Sequence, residues 1–450
     1  MKILLISANT VRVPYYIYPL GLDYVAGALE GRHTVKVADI NLDKKTAPVL
    51  DIIREFGPDA IGLSLRNIDN TDVHDARGFI QKYRELIASI RSVSPAPIIL
   101  GGSGFTIFPR RLMAGLKADY GIIGEGERLP LLLDALEKGT DPSAIPGVIT
   151  RTGEERIPPP LPRDDAFRRS FIGGDIAQFY TARGGILNLQ TKRGCSYNCI
   201  YCTYPHIEGS ALRPVPADEV ADTALRLEAM GGKYFFITDS AFNCDYDHSA
   251  EVARAFKKKG VTIPWGAFLA PTRPPADYYR LLRDAGMIHA EFGTESLSDA
   301  MLASYRKPFN ARDALASHRA AVDAGLHVAH YLLLGGPGET RETIEETLRN
   351  AESLDRTVLF FFCGIRIYPH TRIYEIALDE GQISESDDLL EPVFYRSRGI
   401  TSEEILRVVG ERAEGRENWF VGSTSAHTTR LVARLHQQGH VGPLWEHMIR

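Results

Sequence analysis

The 450-residue chain is too long for one ordinary hydrophobic core, so we expect two major domains. Hydrophobic residues make up 44% and charged residues 24% of the chain, a balance that excludes a largely disordered protein. The 52 basic and 57 acidic residues give a formal net charge of -5, which offers no electrostatic case for nucleic acid as the main partner.

The amino-terminal run MKILLISANT lacks the longer apolar core and the cleavage site of a signal peptide. No stretch of the sequence approaches the roughly 20 apolar residues of a membrane span. The chain has five cysteines, and three of them lie between positions 195 and 202. This grouping indicates a metal site in a reducing compartment rather than a disulfide framework, and it predicts a cytoplasmic protein.

Residues 1–140 alternate apolar strands with amphipathic helices. The predicted strands are KILLIS, VKVADI, DAIGLSLR, APIILGG and ADYGIIGEGE. Such alternation predicts a parallel sheet covered by helices on both faces, in a doubly wound, Rossmann-like α/β domain. Ligands of these sheets bind beyond the carboxyl ends of the strands.

Between residues 141 and 185 the periodicity lapses, and the run IPPPLP can continue neither a helix nor a central strand, so this segment is the predicted linker. A second series of strands and helices follows over residues 186–384. Its predicted strands are ILNLQTKRGC, KYFFITDS, TIPWGAFLAP, MIHAEFGTES, HVAHYLLLGGPGE and VLFFFCGIRIYP. Six such units predict a partial (β/α)6 barrel, whose strand ends surround one cavity. Residues 385–450 have a mixed helical pattern, from which we infer no function.

The segment GCSYNCIYC places Cys195, Cys199 and Cys202 immediately after the first predicted barrel strand. Three thiolates on one short loop can bind three irons of a [4Fe–4S] cubane and leave the fourth iron open to a chelating ligand. A structural zinc site is the alternative, but it needs four ligands and usually paired Cys-x-x-Cys elements. His206 could supply a fourth ligand only on a poorly matched spacing.

The spacing Cys-x-x-x-Cys-x-aromatic-Cys, with Tyr201 at the aromatic position, closely resembles the radical S-adenosylmethionine (SAM) superfamily. The resemblance implies a partial barrel and a cluster that reduces the sulfonium of bound SAM. Homolysis then gives methionine and a 5′-deoxyadenosyl radical, which takes a hydrogen atom from the substrate. The cofactor performs the difficult chemistry, and the barrel supplies placement and excludes water.

Later segments resemble the SAM contacts of this superfamily. In GTES we expect Glu295 and Ser296 to contact SAM, although Ser296 could instead cap the following helix. In LGGPGE we expect Gly335 and Gly336 to let the backbone approach the adenine, although a plain turn would also explain them. Asp239 ends the strand FFITDS, where relatives carry two adjacent acids. Because Ser240 takes the second position here, Asp239 is a weaker candidate for SAM or substrate.

The amino-terminal domain resembles the cobalamin-binding domain of cobalamin-dependent radical SAM enzymes, which also precedes the barrel. Arg66 and Asn67, after the third strand, are the predicted contacts of the lower corrin face, and capping of the next segment is their alternative role. The remaining candidates lie in the loops GGSG and GEGE and are Gly101, Gly102, Ser103, Gly124, Glu125 and Gly126.

The Asp-x-His-x-x-Gly motif, by which many cobalamin proteins ligate cobalt, is absent from this domain. His74 lies in DVHDARG with one residue too many before the glycine, and we interpret it as coincidental. This subclass commonly holds cobalamin without a histidine ligand, so the absence is compatible with cobalamin binding. Glycines at strand ends also suit a domain that has lost its cobalamin and kept the fold.

These resemblances imply a cobalamin-dependent methyltransferase that acts on an unactivated carbon or a phosphorus centre of a small-molecule or lipid-like substrate. A flavodoxin or ferredoxin is the expected reductase, and no specific nucleic acid or membrane span is expected. Cyclisation, rearrangement or aminocarboxypropyl transfer on the same scaffold is the alternative. A tRNA methylthiotransferase is disfavoured because the first 194 residues contain no cysteine. A non-catalytic cobalamin sensor is disfavoured by the complete three-cysteine loop.

Free cysteines elsewhere are weaker candidates. Cys363, in the apolar strand FFFCG, could donate a hydrogen atom or bind substrate, but a small core residue is the more common role of such a cysteine. We interpret Cys244 as incidental. Arg366 is expected to face away from the barrel cavity and is left out of the site.

Overall fold

The computed structural model describes residues 1–12, 15–42, 47–183, 185–422 and 426–449. A six-stranded sheet forms the amino-terminal part. Its strands are β1 (Lys2–Ser7), β2 (Thr34–Asp39), β3 (Ala60–Ser64), β4 (Ile98–Gly101), β5 (Tyr120–Ile122) and β6 (Val148–Thr150). The strand order is β2-β1-β3-β4-β5-β6, with β1 to β5 parallel and β6 antiparallel to β5.

Helices cover both faces of this sheet because its strands are apolar on both sides. They are α1 (Leu20–Leu29), α2 (Ala47–Phe56), α3 (Ile80–Arg91), α4 (Ser103–Ile107), α5 (Pro109–Leu116) and α6 (Leu129–Lys138). Ile3, Leu5, Ile99 and Ile122 pack into the core on one face, whereas Leu4, Ile6, Leu63 and Leu100 pack into the core on the other. The alternating burial confirms the predicted doubly wound domain.

The second sheet has seven strands in the order β17-β14-β13-β12-β11-β10-β7, and all neighbouring strands are parallel. They are β7 (Ile186–Leu189), β10 (Tyr234–Ile237), β11 (Trp265–Leu269), β12 (Met287–Glu295), β13 (His327–Leu334), β14 (Thr357–Cys363) and β17 (Trp419–Val421). Two short antiparallel pairs accompany the sheet, β8 (Lys192–Arg193) with β9 (Arg213–Pro214) and β15 (Ile365–Arg366) with β16 (Phe394–Tyr395). All six predicted barrel strands are present, which confirms the partial barrel.

Further helices pack around the barrel strands or follow them. They are α7 (Gly174–Arg183), α8 (Tyr204–Ile207), α9 (Ala217–Ala229), α10 (Tyr246–Lys259), α11 (Tyr278–Asp284), α12 (Asp299–Ser304), α13 (Ala311–Asp323), α14 (Arg341–Ala351), α15 (Arg372–Asp379), α16 (Ser402–Ala413) and α17 (Ala426–Gln437). Short 3-10 helices lie at Gly126–Arg128, Pro142–Ala144, Arg163–Asp165, Phe242–Cys244 and Trp445–Met448. Within the described ranges, no helix has both the length and the apolar content needed to cross a bilayer.

Two features lie outside the roles predicted for their segments. Strand β6 belongs to the first sheet, although it falls in the predicted linker 141–185, and α7 ends that same segment. Strand β17, in the region 385–450 predicted as mixed helical, joins the barrel sheet beside β14. The division of the chain at 140, 185 and 384 stays a prediction.

Buried arginines hold the first domain against the rest of the chain. Arg169 donates to Asp23 of α1 at 2.7 Å between Nε and Oδ2, and Arg366 donates to Asp69 at 2.8 Å between the same atoms. Both side-chain pairs are buried, with relative exposures of 3% or less. Removing one partner of such a pair leaves an uncompensated buried charge, so these contacts fix how the two sheets face each other.

Candidate active site

The loop that carries the three cysteines begins at a buried ion pair. Lys192 donates from Nζ to Asp239 Oδ2 at 2.7 Å, and both side chains are 1% exposed. Asp239 also accepts from the Thr191 hydroxyl at 2.5 Å and from the Thr191 N–H at 2.8 Å. The end of β7 is thereby tied to the end of β10, and the cysteine loop starts from a fixed point.

These contacts contradict the expected role of Asp239. Its carboxylate is 1% exposed and is occupied by donors from Thr191 and Lys192, so it has no surface to offer SAM or substrate. Asp239 instead anchors the base of the cysteine loop.

The cysteine loop supplies a donor set that fits a [4Fe–4S] cluster. Cys195, Cys199 and Cys202 are all free thiols, the first buried and the others half-buried. Burial raises the pKa of Cys199, and it raises the pKa of Cys202 to about 12, with the neighbouring cysteines adding to both shifts. The three thiols therefore lie near one another, and Cys199 and Cys202 carry protons that iron binding would release.

The zinc alternative lacks its fourth ligand. His206 Nε2 lies 3.1 Å from the Thr106 carbonyl oxygen, and its ring stacks on His370 at 4.0 Å between centroids. Across the described part of the chain, no three His, Cys, Asp or Glu side chains are arranged to hold a single metal ion. The donor set is that of a cluster with an open iron rather than of a closed tetrahedral site.

A buried lysine, which we did not predict, organises the polar group beside the cluster loop. Tyr201 donates its hydroxyl to Glu295 Oε1 at 2.7 Å. Lys307 Nζ lies 3.2 Å from the Tyr201 hydroxyl and 3.4 Å from the same Glu295 oxygen. Burial is the largest influence and opposes the charge of Lys307, but Glu295 and the neighbouring Cys199 and Cys202 together outweigh it. The pKa of Lys307 is therefore raised, and the ammonium is retained.

Glu295 ends β12 in a strained backbone conformation, with its carboxylate beside Tyr201 of the cluster loop. Its φ is 63°, in the left-handed region that side chains other than glycine rarely adopt. The strand register shifts between Gly293 and Glu295, which marks a bulge at the end of β12. No donor from the described residues contacts Oε2, so this oxygen is available to the amino or hydroxyl groups of SAM. The contact of Glu295 with SAM stays a prediction.

Ser296 faces the opposite side of the strand, so its predicted contact with SAM does not fit the structure. The residue is fully buried, with its hydroxyl 2.9 Å from the Thr347 hydroxyl of α14. It accepts the Ser298 N–H at 3.1 Å and is not the N-cap of α12, which is Ser298. Ser296 therefore fastens β12 to α14.

Gly335 and Gly336 form a turn that packs against protein. A Cβ at Gly336 would lie 2.2 Å from Cε1 of Tyr305, and the Gly336 N–H donates to the Tyr305 hydroxyl at 3.2 Å. The Gly335 N–H donates to the buried Glu339 at 3.1 Å. The plain turn is thus the better interpretation of Gly336, because its missing side chain makes room for Tyr305 rather than for an adenine.

A cleft of about 450 Å³ lies between the first sheet and the barrel. The residues predicted to contact the corrin all line it: Arg66, Asn67, Gly101, Gly102, Ser103, Gly124, Glu125 and Gly126. The barrel contributes Asn188, Gln190 and Thr238, and the segment after Cys202 contributes Thr203, Tyr204 and Ile207. The ligand edge of the first sheet and the cluster loop therefore open onto one cavity.

Unpartnered polar atoms in this cleft match a ligand that carries many amide groups. Asn67 Oδ1, Asn188 Oδ1 and Asn9 Nδ2 are buried, and none of them has a hydrogen-bond partner among the described residues. Orphaned buried polar atoms are uncommon because each costs about 1–3 kcal/mol. The amide side chains of a corrin would supply both donors and acceptors to these three asparagines, so the cleft fits cobalamin.

Gly102 and Glu125 line the cleft for different structural reasons. Gly102 has φ 101°, and a Cβ there would lie 2.7 Å from the Leu65 carbonyl oxygen, so the turn itself requires glycine. Glu125 accepts from Arg193 and Arg213, both at 2.7 Å. Burial is the largest influence and opposes ionisation of Glu125, but Arg193, Arg213 and the Leu161 N–H together outweigh it and lower the pKa of Glu125. Glu125 therefore joins the two sheets, and its contact with a ligand stays a prediction.

The remaining candidates lie away from this cavity. Cys363 is 7% exposed, packs in the core beneath α16, and its thiol pKa is raised by burial to about 11, which agrees with a core role. His74 is exposed in the loop before α3 and does not line the cleft. Arg366 pairs with Asp69, away from the barrel interior as expected.

Asn188 and Lys307 are functional candidates that sequence reasoning missed. Asn188 had a detectable signal, because it is a polar residue within the apolar strand ILNL. Lys307 follows a helix in a short connection and shows no periodic pattern.

Comparison with known proteins agrees with this geometry. The family model of the B12 binding domain matches residues 6–133, and that of the Radical SAM superfamily matches residues 189–351. The tryptophan 2-C-methyltransferase of Streptomyces laurentii is 26% identical, over 81% of this chain and 72% of that protein. The cytidylyl-2-hydroxyethylphosphonate methyltransferase of Streptomyces wedmorensis is 27% identical, over 77% and 75%.

A solved structure shares the whole fold. The radical SAM methyltransferase TsrM of Kitasatospora setae, with cobalamin and a [4Fe–4S] cluster bound, superposes with a TM-score of 0.89. The match has 23% sequence identity and covers 99% of this chain and 97% of that one.

Proposed function

We propose that the chain is a cobalamin-dependent methyltransferase of the radical SAM superfamily, since the B12 binding domain model matches it ahead of the Radical SAM model. Cobalamin would be the immediate methyl donor, and SAM would be the methyl source and the ligand of the cluster. The acceptor is an unactivated carbon or a phosphorus centre of a small molecule.

One observation carries the proposal. Cys202 is the third cluster ligand, and the residues directly after it, Thr203 and Tyr204, line the cleft that fits cobalamin. A loop that binds iron with one side and borders a corrin with the other brings both cofactors to one cavity. Related methyltransferases span most of the chain and include enzymes named for methylation of carbon in tryptophan and of a phosphonate.

The chain's own residues have separate tasks in this reaction. Cys195, Cys199 and Cys202 hold the cluster. Glu295, paired with Lys307 and Tyr201, presents a fixed carboxylate oxygen beside it. Asn67 and Asn188 line the cleft from the two sheets and would hold the corrin when it is bound.

Two features of the cellular setting belong to the proposal. The cluster has to be reduced before SAM is cleaved, so an electron donor such as a flavodoxin or ferredoxin is required. Reduced thiols and a labile cluster suit a cytoplasmic location.

The test is anaerobic isolation and reconstitution of the protein with iron, sulfide and cobalamin. We expect ~4 iron atoms per chain and a corrin spectrum. With reductant and SAM, S-adenosylhomocysteine should form, accompanied by 5′-deoxyadenosine if a substrate radical is needed. Formation of methylthioadenosine in place of both products would indicate aminocarboxypropyl transfer and contradict the proposal.

A further inference from the structure

Six aromatic side chains form a continuous surface on the inner face of the barrel, here called the aromatic wall. They are Phe236, Phe268, Tyr331, Phe360, Phe362 and Phe420. Alternation along the strands separates them from the core outside. On the outer side, Phe235 packs on Phe256 of α10, and Phe361 packs on Trp419 in the core beneath α16. The next residue of each strand, Phe236 or Phe362, points the other way and contacts members of the wall.

Two side chains of the aromatic wall are more exposed than the side chains that fill the interior of a closed barrel. Phe268 is 37% exposed and Phe362 is 39% exposed, whereas the outward-facing Phe361 is 1% exposed. Side chains inside a closed barrel pack against one another in layers and leave little open space. Phe236 is buried, and Phe360 and Phe420 pack in one cluster with Trp445 near the carboxyl end of the chain. The exposed rings of Phe268 and Phe362 therefore border the space that a ligand can fill, and covering them is favourable.

The rings are arranged to receive a flat group. Tyr331 lies within 13° of parallel to Phe360 and within 7° of parallel to Phe362. Phe360 continues the stack to Phe420 at 20°. Phe268 stands at 73° to Tyr331 and closes the wall at one side. The stacked rings cover one another's faces, so a planar ligand would meet the exposed edge of Phe362 and the ring of Phe268. Edge-to-face contact is a preferred geometry of aromatic pairs.

The charge of the barrel interior selects against an anion. No lysine or arginine occupies an inward position of the seven barrel strands in the described sequence. The acidic neighbour of the wall is Glu291, which accepts from Tyr331 at 2.8 Å and from Trp445 at 3.0 Å. Burial raises the pKa of Glu291. Arg66 of the cleft acts on Tyr15, which packs near Phe236, but the described barrel strands themselves carry no lysine or arginine. A phosphonate or carboxylate on the wall would therefore be desolvated beside the Glu291 carboxyl group.

The wall also lies next to the two cofactor sites. Thr238, two residues after Phe236 on the same strand, lines the corrin cleft. Glu295, beside the cluster loop, ends β12, which lies between the strands that carry Phe268 and Tyr331. A ring on the wall would thus be within the barrel that both cofactors face.

From these observations we infer that the methyl acceptor carries a neutral, flat aromatic ring that binds against the aromatic wall. This inference rests on the proposed methyl transfer and deepens it. It assigns the acceptor to aromatic compounds and separates this chain from enzymes whose acceptor is a phosphonate.

The experiment measures binding of three probes to the cobalamin- and cluster-loaded protein by ligand-detected saturation-transfer NMR, without turnover. Benzamide is flat and neutral, cyclohexanecarboxamide is its non-planar counterpart of matched size, and phenylphosphonate is flat but anionic. Benzamide should bind about fivefold more tightly than cyclohexanecarboxamide. It should also bind more tightly than phenylphosphonate.

The Phe268→Leu/Phe362→Leu variant should lose the preference for benzamide, whereas Leu131→Ala should keep it. Leu131 is 45% exposed on α6, outside the barrel, and so controls for removal of an exposed apolar side chain. Both variants alter exposed positions, and unchanged iron and corrin content would show that they are folded.

Three results would overturn the inference: no binding of benzamide, equal binding of the two amides, or a preference that survives in the double variant. Tighter binding of phenylphosphonate would overturn the exclusion of anions and, with it, the assignment. These outcomes are independent of SAM cleavage. A preparation that forms S-adenosylhomocysteine but shows no preference refutes the aromatic assignment alone, whereas the opposite result refutes the methyltransferase proposal.

Discussion

The ligand edges of the two sheets satisfy their polar groups in opposite ways. At the barrel edge, Lys192 pairs with Asp239 and Lys307 pairs with Glu295, so each buried charge has a protein partner. In the cleft between the sheets, Asn67, after β3 of the first sheet, and Asn188 of the barrel bury oxygen atoms that have no partner in the described chain. The barrel edge is therefore organised before any ligand binds, whereas the cleft becomes fully hydrogen-bonded only with a ligand in it.

The largest expected effect is the loss of the cluster when one of its cysteines is replaced. This loss would show that the cluster loop and the cobalamin cleft act as separate sites. Replacing Cys199 with alanine removes one of three thiolates, so iron content should fall to background and SAM cleavage should be lost. Cobalamin content should stay unchanged, because no cysteine lines the cleft in the described residues. Metal analysis and the visible spectrum of one preparation measure the iron and cobalamin contents. A parallel loss of cobalamin would contradict the claim that the two sites are separate.

Breaking the ion pair beneath the cysteine loop should cost stability. Lys192→Met leaves the Asp239 carboxylate buried without its cation, so the free energy of unfolding should fall by about 3–5 kcal/mol. Urea denaturation of the protein without cofactors measures it. The double variant Lys192→Met/Asp239→Leu is the control and should recover much of the loss, since an apolar pair carries no uncompensated charge. Equal losses in both variants would show that packing rather than charge is responsible.

Lys307→Met should disturb the barrel edge without unfolding it. Glu295 would lose the cation that holds its carboxylate in place beside the cluster loop, so SAM should bind about tenfold more weakly. The midpoint potential of the cluster should become more negative, because a buried positive charge next to the cysteines is removed. Titration with SAM and a redox titration followed by electron paramagnetic resonance measure the two effects.

Lys307→Arg is the matched control, since it keeps the positive charge. If the potential moves equally in the arginine and methionine variants, the charge of Lys307 is not what sets it.

Two asparagines test the contrast between the edges directly. Asn67→Leu removes an unpartnered group, so cobalamin should bind about fivefold more weakly while stability is kept. Asn243 is its counterpart, because it donates to the Ala270 carbonyl at 2.8 Å and accepts the Ala270 N–H at 2.9 Å. Asn243→Leu should cost about 1–3 kcal/mol of stability and leave cobalamin affinity unchanged. The contrast between the two asparagines would be wrong if both substitutions lowered cobalamin affinity or if both lowered stability.

The smallest effect concerns the histidine pair that joins α8 to the first domain. Burial lowers the pKa of His206, and His370 lowers it further, while burial and Arg111 lower the pKa of His370. A histidine with a lowered pKa in the folded state takes up its proton first in the unfolded chain. Stability is therefore kept above the ordinary histidine pKa of about 6.5 and falls as the pH decreases below it.

Unfolding by urea between about pH 7 and about pH 5 measures this slope. His206→Gln should flatten it, because the variant cannot take up the proton. His74→Gln, at an exposed histidine outside the cleft, should leave the slope unchanged.

The sequence predicted both sheets and the cluster loop because these features are local. Apolar strands, amphipathic helices and a nine-residue cysteine motif can be recognised without knowing what packs against them. Strand β17 could not be recognised in this way, since its three residues become a strand only by pairing with β14, more than fifty positions earlier. Antiparallel β6 was missed for the same reason, because its partner β5 lies across a helix.

Within the site, predictions failed where the direction of a side chain decided the role. Glu295 and Ser296 are adjacent, and alternation along β12 places one beside the cluster loop and the other under α14. Period-two reasoning could have separated them. The role of Gly336 depends on the ring of Tyr305, thirty-one positions earlier, and only the folded chain shows that contact.

The buried arginines that join the two halves also determine how a large cofactor can enter. Arginine stays charged at any pH that a protein tolerates, so acid cannot release Arg169 from Asp23 or Arg193 from Glu127 by neutralising the arginine. Widening the cleft requires several of these contacts to break together. Corrin uptake should therefore be faster while the chain is folding than afterwards, and a protein once loaded should exchange its corrin slowly.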